Sequence, residues 1–259
     1  LVTNDLYAER NNNWTLWLVR DQLRNTYICS SDDYFAQNPF ETYVYRAYYS
    51  AVYMDGSTDE WCLGVDENDR ITSVTVGGKD AWAMLGHVYF DRAFSNTFVR
   101  ILESIVRSPF YEEKYADELW ETIFARNPDC LSMDIRRYPA GQVLEFDSVD
   151  ELMEFDPSFL TKVECPALDN IVDVLGCERT QLHGFYPIKN GLTNLTFHFA
   201  VGAEEYVYRH PGVGTEKFIN RAAEKDADTV AHELGIDRTF VYEDAEKGWK
   251  ISRFVPNAR

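Results

Sequence analysis

Acidic side chains close two predicted strands of the chain. Asp32 and Asp33 follow the strand-like run TYIC at residues 26–29, and Asp147 follows the run VLEF at residues 143–146. Carboxylates at the carboxyl ends of strands in an α/β domain lie where ligands bind, and two of them can share one Mg²⁺ that also binds substrate phosphates. The same acids could instead form a solvated turn and a helix cap, which spacing alone favours. The magnesium site is therefore a hypothesis at this point.

Aromatic residues offer a second kind of binding surface. Trp61, Trp82 and Trp120, together with several tyrosines, exceed what a small core needs. Aromatic faces with acids nearby can hold a cationic trimethylammonium headgroup. Packing in the core and against the sheet is the alternative for each of these rings.

Two features of the last hundred residues could contact phosphates. The run NGLTN at residues 190–194 is a glycine turn between strands, and its backbone N–H groups could cradle a phosphate. Arg209 on a following strand and Glu224 on the next helix could form the ion pair that kinases place beside the phosphates of ATP. A plain hairpin turn and a surface ion pair are the alternatives.

Composition limits the class of protein. The chain has 259 residues and a net charge of −18, which argues against a nucleic-acid or anionic-membrane surface. It contains no run of 18 apolar residues and no signal-peptide pattern, so no membrane insertion and a cytoplasmic location are expected. The five cysteines are odd in number and form no C-x-x-C pair, so neither a disulfide framework nor a zinc site is expected.

Strands and helices alternate up to about residue 160. Strands are predicted at residues 26–30, 42–54 and 82–90, on both sides of the turn at 66–69, and as a pair within 133–147. Helices are predicted at residues 95–106, with Ser95 or Asn96 as cap, at 116–127, and from 148, where Ser148 and Glu151 form a capping box. Apolar strands mixed with helices predict an α/β layer structure, a sheet covered by helices.

The pattern changes in the rest of the chain. A short helix at 166–177 ends at Gly176, an antiparallel meander covers 185–212, a long helix at 215–235 ends at Gly235, and a hairpin covers 238–254. Three strands, a helix and a hairpin form the α+β layout of a kinase-type N-terminal lobe. Two domains are therefore predicted, at residues 1–160 and 161–259.

Residues 1–160 resemble the bacterial choline-phosphate cytidylyltransferases, which belong to a nucleotidyltransferase-like superfamily. The resemblance rests on three runs in the family's order: ERNNNWTLWLVRDQLRNTYICSSDDYFAQNPF (9–40), DEWCL (59–63) and VLEFDSVDEL (143–152). It implies a partial Rossmann-like sheet with helices on both faces. It also implies that CTP and phosphocholine react to give CDP-choline and pyrophosphate with Mg²⁺ as cofactor.

The resemblance also assigns roles to individual residues. It implies that Asp32 and Asp147 are the catalytic acids that hold Mg²⁺, with Asp33 as a neighbour where the family often has an amide. It implies a choline headgroup pocket, although Leu119 occupies a position where the family has an aromatic residue. The pocket residues are Asn12, Trp61, Trp120 and Glu121. The family's glycine-rich CTP loop has no match here, so little turnover is expected of residues 1–259 alone.

From about residue 166 the chain resembles the choline and ethanolamine kinases, of the aminoglycoside-phosphotransferase-like group. The matching runs are GLTNLTFHFAVGAEEYVYRHPG (191–212) and INRAAE (219–224). The resemblance implies that ATP and choline are substrates, and that the family's catalytic loop belongs to a second lobe outside this chain. It assigns ATP binding to Gly191, Leu192, Thr193, Asn194, Arg209 and Glu224.

The two resemblances together imply successive steps, from choline to phosphocholine and then to CDP-choline. The expected ligands are choline, ATP, phosphocholine and CTP. One alternative keeps the fold and changes the acceptor to 2-aminoethylphosphonate or a sugar phosphate, and the tryptophans favour the trimethylated headgroup over a primary amine. Another alternative is a non-catalytic module that only binds a headgroup.

Overall fold

The computed structural model describes residues 1–115, 118–188, 194–212 and 220–256, with only the backbone of Glu113 and Asn194. The chain divides into two compact units, Leu1–Glu145 and Phe146–Arg259. The predicted mixed α/β architecture is confirmed. Within the described ranges, no helix combines the length and the apolar character needed to cross a membrane.

The first unit combines helices with two small groups of strands. Its helices are α1 (Tyr7–Leu18), α2 (Arg92–Val106), α3 (Tyr111–Lys114) and α4 (Trp120–Arg126), and a 3-10 turn lies at Arg20–Gln22. Its strands are β1 (Thr26–Ile28), β2 (Asp33–Phe35), β3 (Tyr48–Val65), β4 (Ile71–Phe90), β5 (Asp134–Tyr138) and β6 (Val143–Glu145).

One long hairpin dominates the first unit. Strands β3 and β4 are 18 and 20 residues long and form the centre of a sheet with the order β1-β4-β3-β5. The separate strands predicted at 42–54, 82–90 and around the turn at 66–69 are parts of this hairpin, and β3 begins only at Tyr48. The middle of β3 is largely exposed, so no apolar run in the sequence indicated that the strand continues.

The predicted strand pair within 133–147 is wrong. Strand β5 runs parallel to β3, whereas β6 pairs with β2 in a separate two-stranded ladder. Only four residues, 139–142, separate the two strands, as in a hairpin, but each strand has a more distant partner. This arrangement brings the ends of β2 and β6 together.

Helix α2 covers the sheet with an apolar face. Phe94, Phe98 and Leu102 are buried in the core at the spacing of one helix face. The helix begins earlier than predicted, because Asp91 rather than Ser95 or Asn96 is its cap: an Asp91 carboxylate oxygen accepts from the Phe94 N–H at 2.8 Å. Ser95 is fully buried instead.

The second unit contains the predicted meander, helix and hairpin. Its helices are α5 (Val149–Phe155), α6 (Phe159–Lys162), α7 (Pro166–Leu175) and α8 (Arg221–Glu233). Its strands are β7 (Leu182–Pro187), β8 (Asn194–Val201), β9 (Glu204–Pro211), β10 (Phe240–Glu243) and β11 (Lys250–Arg253). They form one antiparallel sheet with the order β10-β11-β9-β8-β7.

The boundary between the two compact units falls between Glu145 and Phe146, earlier in the chain than the predicted boundary at residue 160. Helices α5 and α6 belong to the second unit, where Met153 and Phe159 pack against its core and Leu160 is part of it. Ser148 caps α5 as predicted, because its hydroxyl accepts from the Glu151 N–H at 3.2 Å. The capping-box pattern signalled the start of this helix but not the unit to which it belongs.

Gly86 on β4 provides a test of the packing. Its φ is +91°, and a Cβ there would lie 2.5 Å from a methyl carbon of Val143 and 3.1 Å from the Ser50 hydroxyl. Gly56 has a similar φ of +82° with open space around it. We expect Gly86→Ala to lower the free energy of unfolding by roughly 2–4 kcal/mol, and Gly56→Ala by about 1 kcal/mol, because only the first adds a clash to the backbone strain.

Urea denaturation followed by tryptophan fluorescence checks this expectation, since all tryptophans except Trp249 lie in the first unit. Equal shifts in the unfolding midpoint for the two variants would show that β6 does not pack tightly on β4.

Candidate active site

A cavity of about 290 Å³ opens in the first unit. Its walls come from α1, the segment after β1, strands β2, β3, β4 and β6, and the start of α4. It unites residues that lie far apart in the sequence, and three of them were predicted for the headgroup pocket: Asn12, Trp61 and Glu121. The lining also includes an aromatic residue and three acidic residues that were not assigned to this pocket from the sequence: Tyr49, Asp33, Glu60 and Glu145.

Asn12 joins α1 to α4 at one side of the cavity. Its side-chain oxygen accepts a hydrogen bond from the backbone N–H of Trp120 at 3.0 Å. Its amide nitrogen donates to a carboxylate oxygen of Glu121 at 3.3 Å. The helix is interrupted just before this point, because Asn11 adopts φ +50° and ψ −158°, which lie outside the helical region. The kink and the two amide contacts fix the position of Glu121.

Burial changes the chemistry of Glu121. Desolvation raises its pKa to about 7, and hydrogen bonds to the carboxylate oppose this shift without cancelling it. The carboxyl group therefore titrates near neutral pH. A cation in the cavity would favour its charged form.

Carboxylates also meet where β2 and β6 pair. Asp33 lies opposite Glu145 in the ladder, and a carboxylate oxygen of Asp32 lies within 4.8 Å of one from Glu145. Burial raises the pKa of Asp33 to about 6, opposed by a hydrogen bond from the Ser30 N–H and reinforced by the charge of Asp32. Asp33 lines the cavity, whereas the sequence analysis gave Asp33 no role beyond that of a neighbour of Asp32.

The remaining predicted metal acid, Asp147, is the second residue of the second unit. Its N–H donates to a carboxylate oxygen of Glu151 at 2.9 Å. The helix-cap alternative does not apply to its side chain, because Ser148 caps α5. Glu145 lies two residues before Asp147, which is the one sequence signal that could have identified Glu145.

Two aromatic residues are among those that line the cavity, and Trp120 is not one of them. Trp61 and Tyr49 line it, whereas Trp120 is only 4% exposed and stacks on Tyr49 with ring centroids 5.8 Å apart and planes 10° from parallel. Trp120 thus supports Tyr49 from the core side. Trp82 packs against Tyr53 and does not line the cavity.

The walls of this cavity are acidic and aromatic. Its carboxylates are Asp33, Glu60, Glu121 and Glu145, and among the described residues that line it none is basic. Leu119 also lines it, at the position where the resemblance implied an aromatic residue. An acidic, ring-walled cavity suits a cationic group.

The predicted ion pair of the second unit is present. An Arg209 guanidinium nitrogen donates to a Glu224 carboxylate oxygen at 2.7 Å, and Arg221 donates to the other oxygen at 3.0 Å. Burial works against the charge on Glu224, yet these two arginines outweigh it and lower its pKa. Each side chain of the pair is about three-quarters buried, so the pair is less exposed than the alternative of a surface ion pair predicts.

Glu243 is a residue of this region that the sequence did not single out. It is fully buried, and one of its carboxylate oxygens lies 4.0 Å from Arg209. Burial and the charge of Glu224 raise its pKa. The predicted loop residues Gly191, Leu192 and Thr193 lie outside the described residues, and Asn194 begins β8.

Comparison with known proteins shows what the chain is similar to. No family model matches the chain. A solved structure of the CTP:phosphocholine cytidylyltransferase from Streptococcus pneumoniae matches with a TM-score of 0.55 and 24% identity, covering 61% of this chain and 68% of the other. The chain therefore shares the fold of a nucleotidyltransferase over that part.

Two curated relatives of the chain are cytidylyltransferases with different acceptors. The chain is 26% identical over 156 residues to the choline-phosphate cytidylyltransferase of Streptococcus pneumoniae, covering 60% of this chain and 66% of the relative. It is 28% identical over 163 residues to the 2-aminoethylphosphonate cytidylyltransferase of Lancefieldella rimae, covering 62% and 65%. The chain thus spans just under two thirds of each relative. The predicted resemblance to cytidylyltransferases, which are nucleotidyltransferases, is confirmed.

A solved choline kinase from Streptococcus pneumoniae is also similar, at 25% identity over 34% of this chain and 30% of that one. Its TM-score is 0.29.

The titration of Glu121 predicts how stability depends on pH. Its pKa is raised from an ordinary value of 4.5 to about 7 in the folded protein, so the native state binds this proton more tightly than the unfolded chain does. The free energy of unfolding should therefore fall as pH rises from about 4.5 to 7. Glu121→Gln keeps an acceptor for Asn12 but does not titrate, so its stability should fall less over this range.

Urea unfolding midpoints between pH 5 and pH 8, without ligand, measure the difference. Glu67→Gln, at an exposed turn, is the matched control and should follow the unmodified protein. An identical pH dependence for Glu121→Gln and the unmodified protein would contradict the raised pKa.

Proposed function

We propose that the first unit is the acceptor-binding and metal-binding part of a cytidylyltransferase. The reaction joins CTP to phosphocholine and gives CDP-choline and pyrophosphate. The observation that carries the proposal is the cavity lined by Trp61, Tyr49 and four carboxylates, in which no basic residue is found among the described lining residues. The relatives of the chain support the reaction class.

The walls of the cavity support a quaternary ammonium headgroup. Trimethylammonium has no N–H to donate, so it is held by ring faces and by nearby negative charge. Trp61 and Tyr49 supply the rings, and Trp120 behind Tyr49 holds that ring in place. Glu121 is half titrated near neutral pH and can become fully charged when the cation binds.

The second candidate acceptor is 2-aminoethylphosphonate. A primary ammonium donates hydrogen bonds, and Glu60 and Glu121 could accept them. The many carboxylates in the walls favour this candidate, whereas the two rings favour phosphocholine. The same transfer reaction would follow with either acceptor.

The carboxylates at the strand ends fit a divalent cation. Mg²⁺ prefers oxygen ligands, and Asp32 lies beside Glu145. Chain connectivity keeps the Cα of Asp147 within about 7 Å of that of Glu145. We assign Asp32 and Asp147 as the ligands of Mg²⁺, with Glu145 as a further candidate. The ion would supply charge neutralisation for the phosphates.

The chemistry of the transfer needs positioning more than a covalent catalyst. A phosphate oxygen of phosphocholine attacks the α-phosphorus of CTP in line, and a new P–O bond forms while the bond to pyrophosphate breaks. Trp61, Tyr49 and Glu121 would hold the headgroup, and the acids at the ends of β2 and β6 would hold the ion that neutralises the phosphates.

We also propose that the second unit is a kinase-type N-terminal lobe that contacts ATP. The order of three strands, a helix and a hairpin supports this, together with the ion pair between Arg209 and Glu224. Residues 191–194 would contribute the phosphate loop. The product of such a kinase acting on choline is phosphocholine, which is the acceptor proposed for the first unit.

Replacing Trp61 tests the acceptor. We expect Trp61→Ala to weaken phosphocholine binding roughly tenfold, because a cation–π contact in a desolvated site contributes about 1–2 kcal/mol. Binding of 2-aminoethylphosphonate should change less, since carboxylates hold a primary amine. Calorimetric titration of both ligands into the unmodified protein, Trp61→Ala and the control Trp82→Ala gives the comparison.

Tighter binding of 2-aminoethylphosphonate than of phosphocholine would establish the second candidate. Unchanged binding of both ligands by Trp61→Ala would show that the acceptor does not bind in this cavity.

Replacing the strand-end acids tests the metal site. Asp32→Asn and Asp147→Asn should each weaken Mn²⁺ binding, followed by electron paramagnetic resonance. In the full-length protein each should lower the rate of pyrophosphate release on the order of a hundredfold, because one charged group at the reacting phosphates is lost. The exposed Asp129→Asn is the control. Normal turnover by Asp147→Asn would refute its assignment as a ligand.

A further inference from the structure

A second cavity of the first unit has the opposite charge. It measures about 420 Å³ and lies between the 3-10 turn at Arg20–Gln22 and the first turns of α2. Its charged lining residues are Arg20, Asp21, Arg24 and Arg92, and Asn96 also lines it. It shares no lining residue with the acidic cavity of the proposed acceptor site.

The three arginines of this cavity differ from most arginines in the chain. None of their guanidinium groups lies within 4.0 Å of a carboxylate oxygen among the residues that the structure describes, whereas most other described arginines do. With Asp21 counted, the charged lining has a net charge of about +2 (three arginines less one aspartate). This local excess of positive charge occurs in a chain with a net charge of −18.

Hydrogen bonds hold the backbone at Arg24 close to the backbone at Arg92. The Ser95 hydroxyl donates to the backbone carbonyl of Arg24 at 2.6 Å, and the backbone N–H of Arg92 donates to the side-chain oxygen of Asn25 at 2.8 Å. These bonds tie the segment before β1 to the start of α2. Arg20 is oriented separately, because its guanidinium lies 3.9 Å from the centre of the Trp17 ring and donates to the Trp17 carbonyl at 2.7 Å.

We propose that this cavity binds a small phosphorylated anion. Guanidinium groups match phosphate oxygens in pairs of hydrogen bonds, and three of them around one cavity suit a group that carries several negative charges. The volume admits a small molecule. The negative charge of the whole chain repels nucleic acids and anionic membranes, so a compact ligand fits this site better than a large polyanion.

Calorimetric titration with inorganic pyrophosphate tests the proposal, in buffer with a chelator that removes divalent cations. We expect Arg24→Gln and Arg92→Gln each to weaken binding roughly tenfold, since each removes a charge-assisted hydrogen bond. Asp21→Asn should strengthen it by removing a repulsive charge. Higher salt should weaken binding to the unmodified protein.

Two controls separate this site from the others. Arg238→Gln removes an exposed arginine of the second unit and should leave pyrophosphate binding unchanged. Asp32→Asn alters the proposed metal site and should also leave it unchanged, so the result does not depend on the proposed function. Absence of binding to the unmodified protein, or equal binding by it and by Arg24→Gln and Arg92→Gln, would overturn the proposal.

Discussion

The close approach of strand β6 to strand β4 at Gly86 determines the geometry of the acidic cavity. A side chain at Gly86 would occupy the space that Val143 fills. Two residues after Val143, Glu145 reaches the cavity opposite Asp33. The carboxylates of the β2–β6 ladder are thereby held over the long hairpin that carries Tyr49 and Trp61. Without this contact the acids and the rings would not share one cavity.

Burial of carboxyl groups accounts for the raised pKa values in that cavity. Burial removes water from Glu121 and Asp33, and Asp32 adds a like charge beside Asp33. An arrangement of this kind costs folding free energy when no cation is present. A cationic headgroup at the rings and a divalent cation at the strand ends would each offset part of that cost, which links the stability of the unit to its proposed ligands.

Local signals in the sequence predicted much of the fold. Capping residues marked the start of α5, glycines marked the ends of α7 and of the helix before β10, and apolar spacing located α2. Long-range pairing could not be predicted, because nothing local shows that β5 joins β3 while β6 joins β2. The site followed the same division. Asn12, Trp61 and Glu121 were predicted from motifs and share a cavity, but only three-dimensional packing shows that Trp120 supports Tyr49 from behind.

The central claim is that the rings of Trp61 and Tyr49 hold a trimethylammonium group. Nuclear Overhauser effects between the methyl protons of bound phosphocholine and the aromatic protons of the protein test this most directly. The account predicts contacts to Trp61 and Tyr49 and none to Trp82, which lies outside the cavity. Contacts to Trp82, or to residues of the second unit in place of Trp61 and Tyr49, would contradict it.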